Sequence, residues 1–366
     1  MLADFALVLP REVWRELGEL SERLAREALA AEEELLGRPD LHGALGLPRT
    51  IRAALGEARV LGPARGAARA MRFDFHWTSG GWRISEVNSD VPGGFIEASG
   101  FSALAADLRG LELAGDPTRA ISRALAQATP VGGTIGLVHA TAYTDDRQVM
   151  LQLARALEAC GRHTCLLDPT QVQWRAGRAQ AATEWFEGPL DALARFYPAE
   201  WLCCASARTR WRSFFRGSHT PLSNPGAALL IQSKRFPLVW ERLATPLPTW
   251  RALLPETRSP RDADWRSNPE WIVKPALGRV GEAVGLRDVV EPRQWRDIAR
   301  SARWFPSAWV AQRRFEAVPV DLQGERAWPC IGVYVVDGRA AGIYGRIARR
   351  PLVDARAQDI AVLVKP

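Results

Sequence analysis

The stretch from Ala70 to Asn88 constrains the fold of this chain more than any other. Met71, Phe73, Phe75 and Trp77 alternate with Arg72, Asp74 and His76, the two-residue period of a half-buried strand. Thr78-Ser79-Gly80-Gly81 interrupts the pattern, and Trp82 to Asn88 forms a second run. Two such runs joined by a glycine-bearing turn predict a β-hairpin. Residues two apart on a strand share a face, so Arg72 projects with Asp74, and Glu86 with Asn88. Two carboxylates, an amide oxygen and a guanidinium then converge wherever the two strands are neighbours. Such hard oxygen donors suit Mg²⁺, which leaves coordination positions open to phosphate. The adjacent arginine can stabilise charge on a transferring phosphoryl group. The solvated face of an ordinary hairpin explains the same alternation, so spacing alone leaves both readings open.

The remaining periodicities predict a mixed α/β protein. Residues 11 to 36 read as an amphipathic helix with Val13, Leu17, Leu20, Leu24 and Ala28 on one side and a stop at Gly37-Arg38-Pro39. Thr134 to Ala140, Asp145 to Cys160 and His163 to Asp168 form a strand–helix–strand unit, which implies a parallel sheet. Trp174 to Gln180 reads as a hairpin about Ala176-Gly177. Further on, Lys234 to Leu243 and Glu291 to Ala302 read as helices, and Trp271 to Pro275, Val284 to Arg287 and Ala308 to Phe315 as strands. Ile331 to Val336 and Ala340 to Ile347 make a hairpin about Asp337-Gly338. The last dozen residues show no clear period. These signals divide the chain at residues 1–130 (helical region and hairpin), 131–225 (parallel-sheet subdomain) and 226–366 (a second lobe and closing strands).

Composition excludes several classes. A length of 366 residues suits two or three packed subdomains. The first nine residues carry Asp4 in place of a basic start and stop at Pro10, unlike a secretory leader, and no run is long enough to span a membrane. A cytoplasmic location is expected. Cys160, Cys165, Cys203, Cys204 and Cys330 form no metal or redox pattern and are expected to be reduced and mostly buried. The formal charge of +7 is spread along the sequence without a dense stripe, which argues against nucleic-acid binding. Trp14, Trp77, Trp185, Trp201, Trp240 and Trp309 sit in apolar patterns and are expected in the core.

Arginine supplies nearly all the positive charge, and lysine occurs only at Lys234, Lys274 and Lys365. A guanidinium does not replace a compact ammonium in a phosphate pocket, so the retained lysines carry information. Lys234 stands where a loop gives way to a helix, whose amino terminus favours anions. Lys274 ends an apolar strand and precedes Pro275 and the loop Gly278-Arg279-Val280-Gly281, whose backbone N–H groups can close over phosphate. Two surface lysines and a plain turn are the alternative. Asp145 and Asp146 head a helix after a parallel strand, where they complement the helix dipole and where a cationic amine would also find two carboxylates.

Taken as a set, several segments resemble the bacterial glutathionylspermidine synthase family, in its synthetase domain without the amidase domain. They are Arg72-Phe73-Asp74-Phe75, Ser85-Glu86-Val87-Asn88 running to Gly93-Gly94, Phe196-Tyr197-Pro198-Ala199-Glu200-Trp201, Gln232-Ser233-Lys234, Trp271 to Gly281, and Ile331-Gly332-Val333-Tyr334 running to Arg346. The resemblance implies an ATP-grasp fold in a permuted order, with ATP and Mg²⁺ as cofactors. It implies an ADP-forming ligase that joins a small-molecule carboxylate to an amine through an acyl phosphate, and it leaves a homodimer open. By the same resemblance Asp74, Glu86 and Asn88 are metal ligands, and Arg72, Lys274 and Arg346 are catalytic. Lys234, Lys274, Gly278, Arg279, Gly281 and Gln312 hold the nucleotide, with Gln312 at adenine. Asp145, Asp146 and Arg279 face substrate. Val280, Val91, Gly93, Gly94 and Ile347 depart from the family pattern, which implies a substrate pair other than glutathione and spermidine. A non-catalytic nucleotide-binding or scaffold protein on the same fold is the alternative.

Overall fold

The computed structural model describes residues 1–61, 66–206, 209–215, 218–278, 283–322 and 324–365. Its largest sheet runs β1 (Leu2–Leu9), β18 (Gln358–Val364), β17 (Arg339–Ala348), β16 (Glu325–Val336), β2 (Ala70–Thr78) and β3 (Gly81–Asn88). Two short strands extend it, β4 (Glu112–Leu113) on β18 and β15 (Val320–Leu322) on β16. The hairpin β16–β17 turns at Asp337-Gly338, both with positive φ as such a tight turn requires. The expected β2–β3 hairpin is therefore an edge ribbon of this sheet, antiparallel to β16.

The helix Arg11–Leu36 lies across this sheet. Leu17, Leu24, Ala28, Ala31 and Leu35 recur at three- and four-residue steps and are fully buried, so its apolar stripe seats on β16 and β17. Phe73, from the inward face of β2, meets the Trp250 ring edge-on at 6.0 Å, and Trp250 Nε1 donates to Leu24 O. Each such large side chain contributes about 1.5–3 kcal/mol through burial.

A second, parallel sheet has the order β11 (Leu222–Ser223), β10 (Ala192–Arg195), β5 (Thr134–Val138) and β6 (His163–Leu167). The helix Thr144–Glu158 crosses from β5 to β6 and places Asp145 and Asp146 in its first turn, beyond the carboxyl end of β5. A small antiparallel meander, β7 (Val172–Arg175), β8 (Arg178–Ala182) and β9 (Glu187–Pro189), hangs off this unit. The third element of the site is a three-stranded antiparallel sheet, β12 (Thr257–Arg258), β14 (Trp309–Arg313) and β13 (Trp271–Pro275), backed by the helix Pro292–Trp304.

Several expectations need correction. Residues 284–287 are not a strand. Gly285 makes one bridge to Val273, and the chain turns at once because Val289 and Val290 both donate to Leu286 O. Lys234 does not begin a helix. It precedes a 3₁₀ turn, Phe236–Arg242, and Pro237 at its head withholds the N–H a longer helix would use. The unpatterned tail contains β18, and β1 was also unforeseen. Trp77, Trp185 and Trp201 are exposed, whereas Trp240 and Trp309 are buried. All five cysteines are free, but only Cys330 is buried. Among the described residues no helix is long and apolar enough to cross a membrane.

Candidate active site

The β2–β3 register pairs Arg72 with Asn88 and Asp74 with Glu86. Because each pair member is two residues from the other on its own strand, all four side chains share one face. The ladder then slips, pairing Phe75 with Ile84 and leaving Ser85 as a bulge. The Ser85 carbonyl accepts from Lys274 Nζ at 3.3 Å, which joins the ribbon to β13 of the small sheet. Lys234 Nζ lies 3.0 Å from Glu86 Oε2 and donates to Gly278 O at 2.7 Å. Its backbone N–H also donates to Ala276 O, fixing the lysine to the end of β13.

These groups line one cavity of about 880 Å³ between the sheets. Arg72, Asp74, Glu86, Asn88, Lys234, Lys274 and Gly278 reach its wall, as do Asp145, Asp146 and Arg346 from other elements. Arg346 leans on the backbone, donating to Asp354 O at 2.7 Å, with Asp359 at 3.9 Å from its buried Nε. Trp201, expected in the core, stands beside Tyr143 at the cavity wall near the acidic pair, with ring centroids 6.0 Å apart. Gln312 is placed differently from its expected position at adenine. It is buried behind Lys274, accepting from Nζ at 2.8 Å and donating to Thr257 Oγ1 at 3.1 Å, and does not reach the cavity wall. Arg279, Val280, Gly281 and Glu282 lie outside the described residues.

The electrostatics follow from this packing. Burial would raise the Glu86 carboxyl, but Lys234 and Lys274 override it and hold it down at about 2. Burial brings Lys274 down to about 8, although Glu86 opposes that shift. His76, buried and facing Lys274, falls to about 4 and is neutral at physiological pH. Burial also disfavours the charged form of Arg72, but Asp74 outweighs it and raises the guanidinium well above its ordinary value. Burial pushes the Cys330 thiol far up, so this cavity residue remains protonated.

The donor set was tested against Mg²⁺. Among the described residues no three His, Cys, Asp or Glu side chains are grouped to hold a metal. The trio here is two carboxylates and an amide, all oxygen donors of the kind Mg²⁺ takes. The carboxylates are already matched with cations. Arg72 grips Asp74 through Nε at 2.7 Å and Nη2 at 2.9 Å, and Asn88 Nδ2 adds a bond at 3.1 Å. The residues therefore fit the ion in type and placement.

Sequence reasoning did not single out Tyr344, Phe196, His76 and Cys330, which also line the cavity. His76 alternates with Arg72 and Asp74, and that period was the signal for it. Tyr344 and Phe196 carried no charge or spacing that marks a site.

A small antiparallel sheet bearing Lys274, set against a larger sheet bearing paired carboxylates with the cavity between them, defines an ATP-grasp fold. The chain belongs to the glutathionylspermidine synthase preATP-grasp family, whose model matches residues 8–365, and is thus an ATP-grasp-type ligase. A protein assigned as a γ-glutamylcysteine synthetase from Methylobacillus flagellatus KT shares the fold, with a TM-score of 0.50, 14% identity, and coverage of 91% of this chain and 86% of that one. A D-alanyl-alanine synthetase A from Vibrio cholerae aligns more loosely, with a TM-score of 0.33, 8% identity, and 64% and 88% of the two chains. No curated protein matches the sequence.

Proposed function

We propose that this protein is an ATP- and Mg²⁺-dependent ligase that joins a small carboxylic acid to an amine, releasing ADP and phosphate. One observation carries the reading: Lys234 Nζ lies 3.0 Å from Glu86, while Lys274 Nζ donates to Ser85 O, so both lysines meet the carboxylate ribbon at a single cavity. On this reading Lys234 and Lys274 bind the triphosphate, and Asp74, Glu86 and Asn88 would hold Mg²⁺. The ion, when bound, supplies charge neutralisation between phosphate and carboxylate.

The chemical problem is to bring an anionic carboxylate to an anionic phosphate. Arg72 and the two lysines supply fixed positive charge where water is excluded, which favours the approach. A carboxylate oxygen forms a bond to the γ-phosphorus as the bond to ADP breaks, giving an acyl phosphate. The neutral amine nitrogen then attacks the acyl carbon, and phosphate departs with the bonding pair and the surplus amine proton. Arg346 faces the departing phosphate, and Asp145 with Asp146 attract a cationic amine before it loses its proton. We place the substrate subdomain at residues 131–225 and the nucleotide lobe at 226–366, and take the partners to be small molecules and not nucleic acid. A cytoplasmic location fits that chemistry.

ADP release measured with pools of acids and amines tests the reading, alongside binding of a non-hydrolysable ATP analogue. Turnover above that of Lys274→Ala with at least one acid–amine pair is expected. Analogue binding with no turnover from any pair would leave the non-catalytic reading in place.

A further inference from the structure

We infer that the acyl donor is a carboxylic acid with an aromatic or branched apolar body, held in a slot of the cavity beside Arg72. This rests on the ligase reading above and goes on to name the substrate class. The slot has two ring walls and a bare floor. The Arg72 guanidinium lies 4.9 Å over the Tyr344 ring. Gly94 backs onto that same ring, and its φ of +90° with a built Cβ only 2.8 Å from the ring leaves room for glycine alone. Gly93 faces the other wall, where a built Cβ would meet Phe196 Cζ at 3.8 Å and nothing else within 4 Å. Phe196 is braced edge-on by Phe95 at 5.9 Å. Val91 adds an aliphatic side chain to the same cavity.

The polar groups around this slot are already engaged with one another. Tyr344 Oη donates to Asp359 Oδ1 at 2.5 Å, and Tyr334 Oη donates to Gly93 O. Arg72 Nη1 donates to Gly93 O at 2.5 Å, while Nε and Nη2 go to Asp74. A guanidinium has about five N–H groups, so two remain for a reacting carboxylate and none is left for a polar body. A peptide-like acid placed here would give up water without regaining hydrogen bonds from the described residues. An arene or branched alkyl group would stack between Tyr344 and Phe196 and lose nothing polar. The cavity's acidic pair, Asp145 and Asp146, belongs to a different element and leaves the slot itself without a carboxylate for an α-ammonium group.

The test compares 3-phenylpropanoate, a branched aliphatic acid and glutathione as acyl donors, with a common amine pool, reading ADP release in the wild type, Gly93→Val, Phe196→Ala and Lys274→Ala. The expected result is a KM for the two apolar acids at least tenfold below that for glutathione. Gly93→Val, which fills the floor, should raise those KM values at least tenfold while the KM for ATP moves less than twofold. Phe196→Ala, which opens a wall, should erode the preference for the aryl acid and keeps the test open if the valine variant does not fold. Turnover that favours glutathione, or apolar-acid KM values indifferent to both substitutions, overturns the inference and leaves the ligase reading standing. No ADP release above Lys274→Ala with any acid removes the ligase reading, and the inference with it.

Discussion

The ammonium of Lys274 donates to the amide oxygen of Gln312 at 2.8 Å, across the pair of strands β13 and β14, and Gln312 in turn donates to Thr257 on β12. A relay of three strands thus holds one cation at the mouth of the ribbon. Gln312 is a positioning residue on this geometry and not a reader of the base. Replacing it with leucine removes the acceptor and frees the lysine. Binding of ATP and GTP analogues should weaken together, by roughly tenfold for a lost charge-assisted bond. Loss of ATP binding with unchanged GTP binding would assign Gln312 to the base instead.

Lys274, lowered to about 8 by burial, also sets a pH dependence. It is charged below that value and discharges above it, and phosphate prefers the charged form. Affinity for an ATP analogue is therefore full near pH 7 and falls as pH rises through 8, by about tenfold at most per pH unit. Lys274→Arg stays charged and should show a flat profile over pH 7 to 9. Calorimetric titration at the two pH values reads this directly, and a flat wild-type profile would contradict it.

Glu86 is the carboxylate shared between Lys234 and the candidate metal site. Glu86→Gln keeps the shape and removes the charge. In the wild type, Mg²⁺ should tighten ATP-analogue binding at least tenfold, and in the variant that gain should disappear. Fluorescence titrations with and without Mg²⁺ decide the matter. An unchanged metal effect would take Glu86 out of the ligand set.

Asp90 and Arg195 form an ion pair at 2.5 Å with both side chains fully buried, and Asp90 also accepts from Ala199 N. Arg195 further binds Asn224 O and Tyr197 O, tying the parallel sheet to the segment that follows β3. Asp90→Ala strands the guanidinium in the interior and should cost about 3–5 kcal/mol. Urea unfolding measures this, and a cost below about 1 kcal/mol would mean that water reaches the stranded arginine.

Much of the site was legible because its chemistry obeys local rules. The two-residue alternation of Arg72 and Asp74, and of Glu86 and Asn88, set the shared face before any partner strand was known. The rarity of lysine pointed to Lys234 and Lys274 for a reason of ion shape. What escaped were facts of long-range packing. Trp201 looks like core from its neighbours, and only the tertiary arrangement leaves it at the cavity beside Tyr143. Gln312 has the same local pattern whether it faces a ligand or a lysine, and the side it takes depends on β12, two residues long and invisible as a period. Val284 to Arg287 has the composition of a strand, but its chain turns too soon to use it. β1 and β18 are short apolar runs that acquire strand geometry only from each other.

That last pairing bears on how the molecule is made. β1 lies parallel to β18, with Leu2 opposite Asp359 and Leu9 opposite Val364, while β18 also flanks β17, which carries Tyr344 and Arg346. Contacts between segments so remote in sequence form slowly, because the loop they close must first be gathered. During synthesis the first strand must wait for the last, an unpaired edge kept in reserve while the helix Arg11–Leu36 and the hairpins assemble. The parallel sheet can settle early, but the face that bears the slot is completed only as residues 358–364 emerge. A ribosome stalled before them should hold a chain with a folded acidic-pair lobe and an unfinished arginine wall.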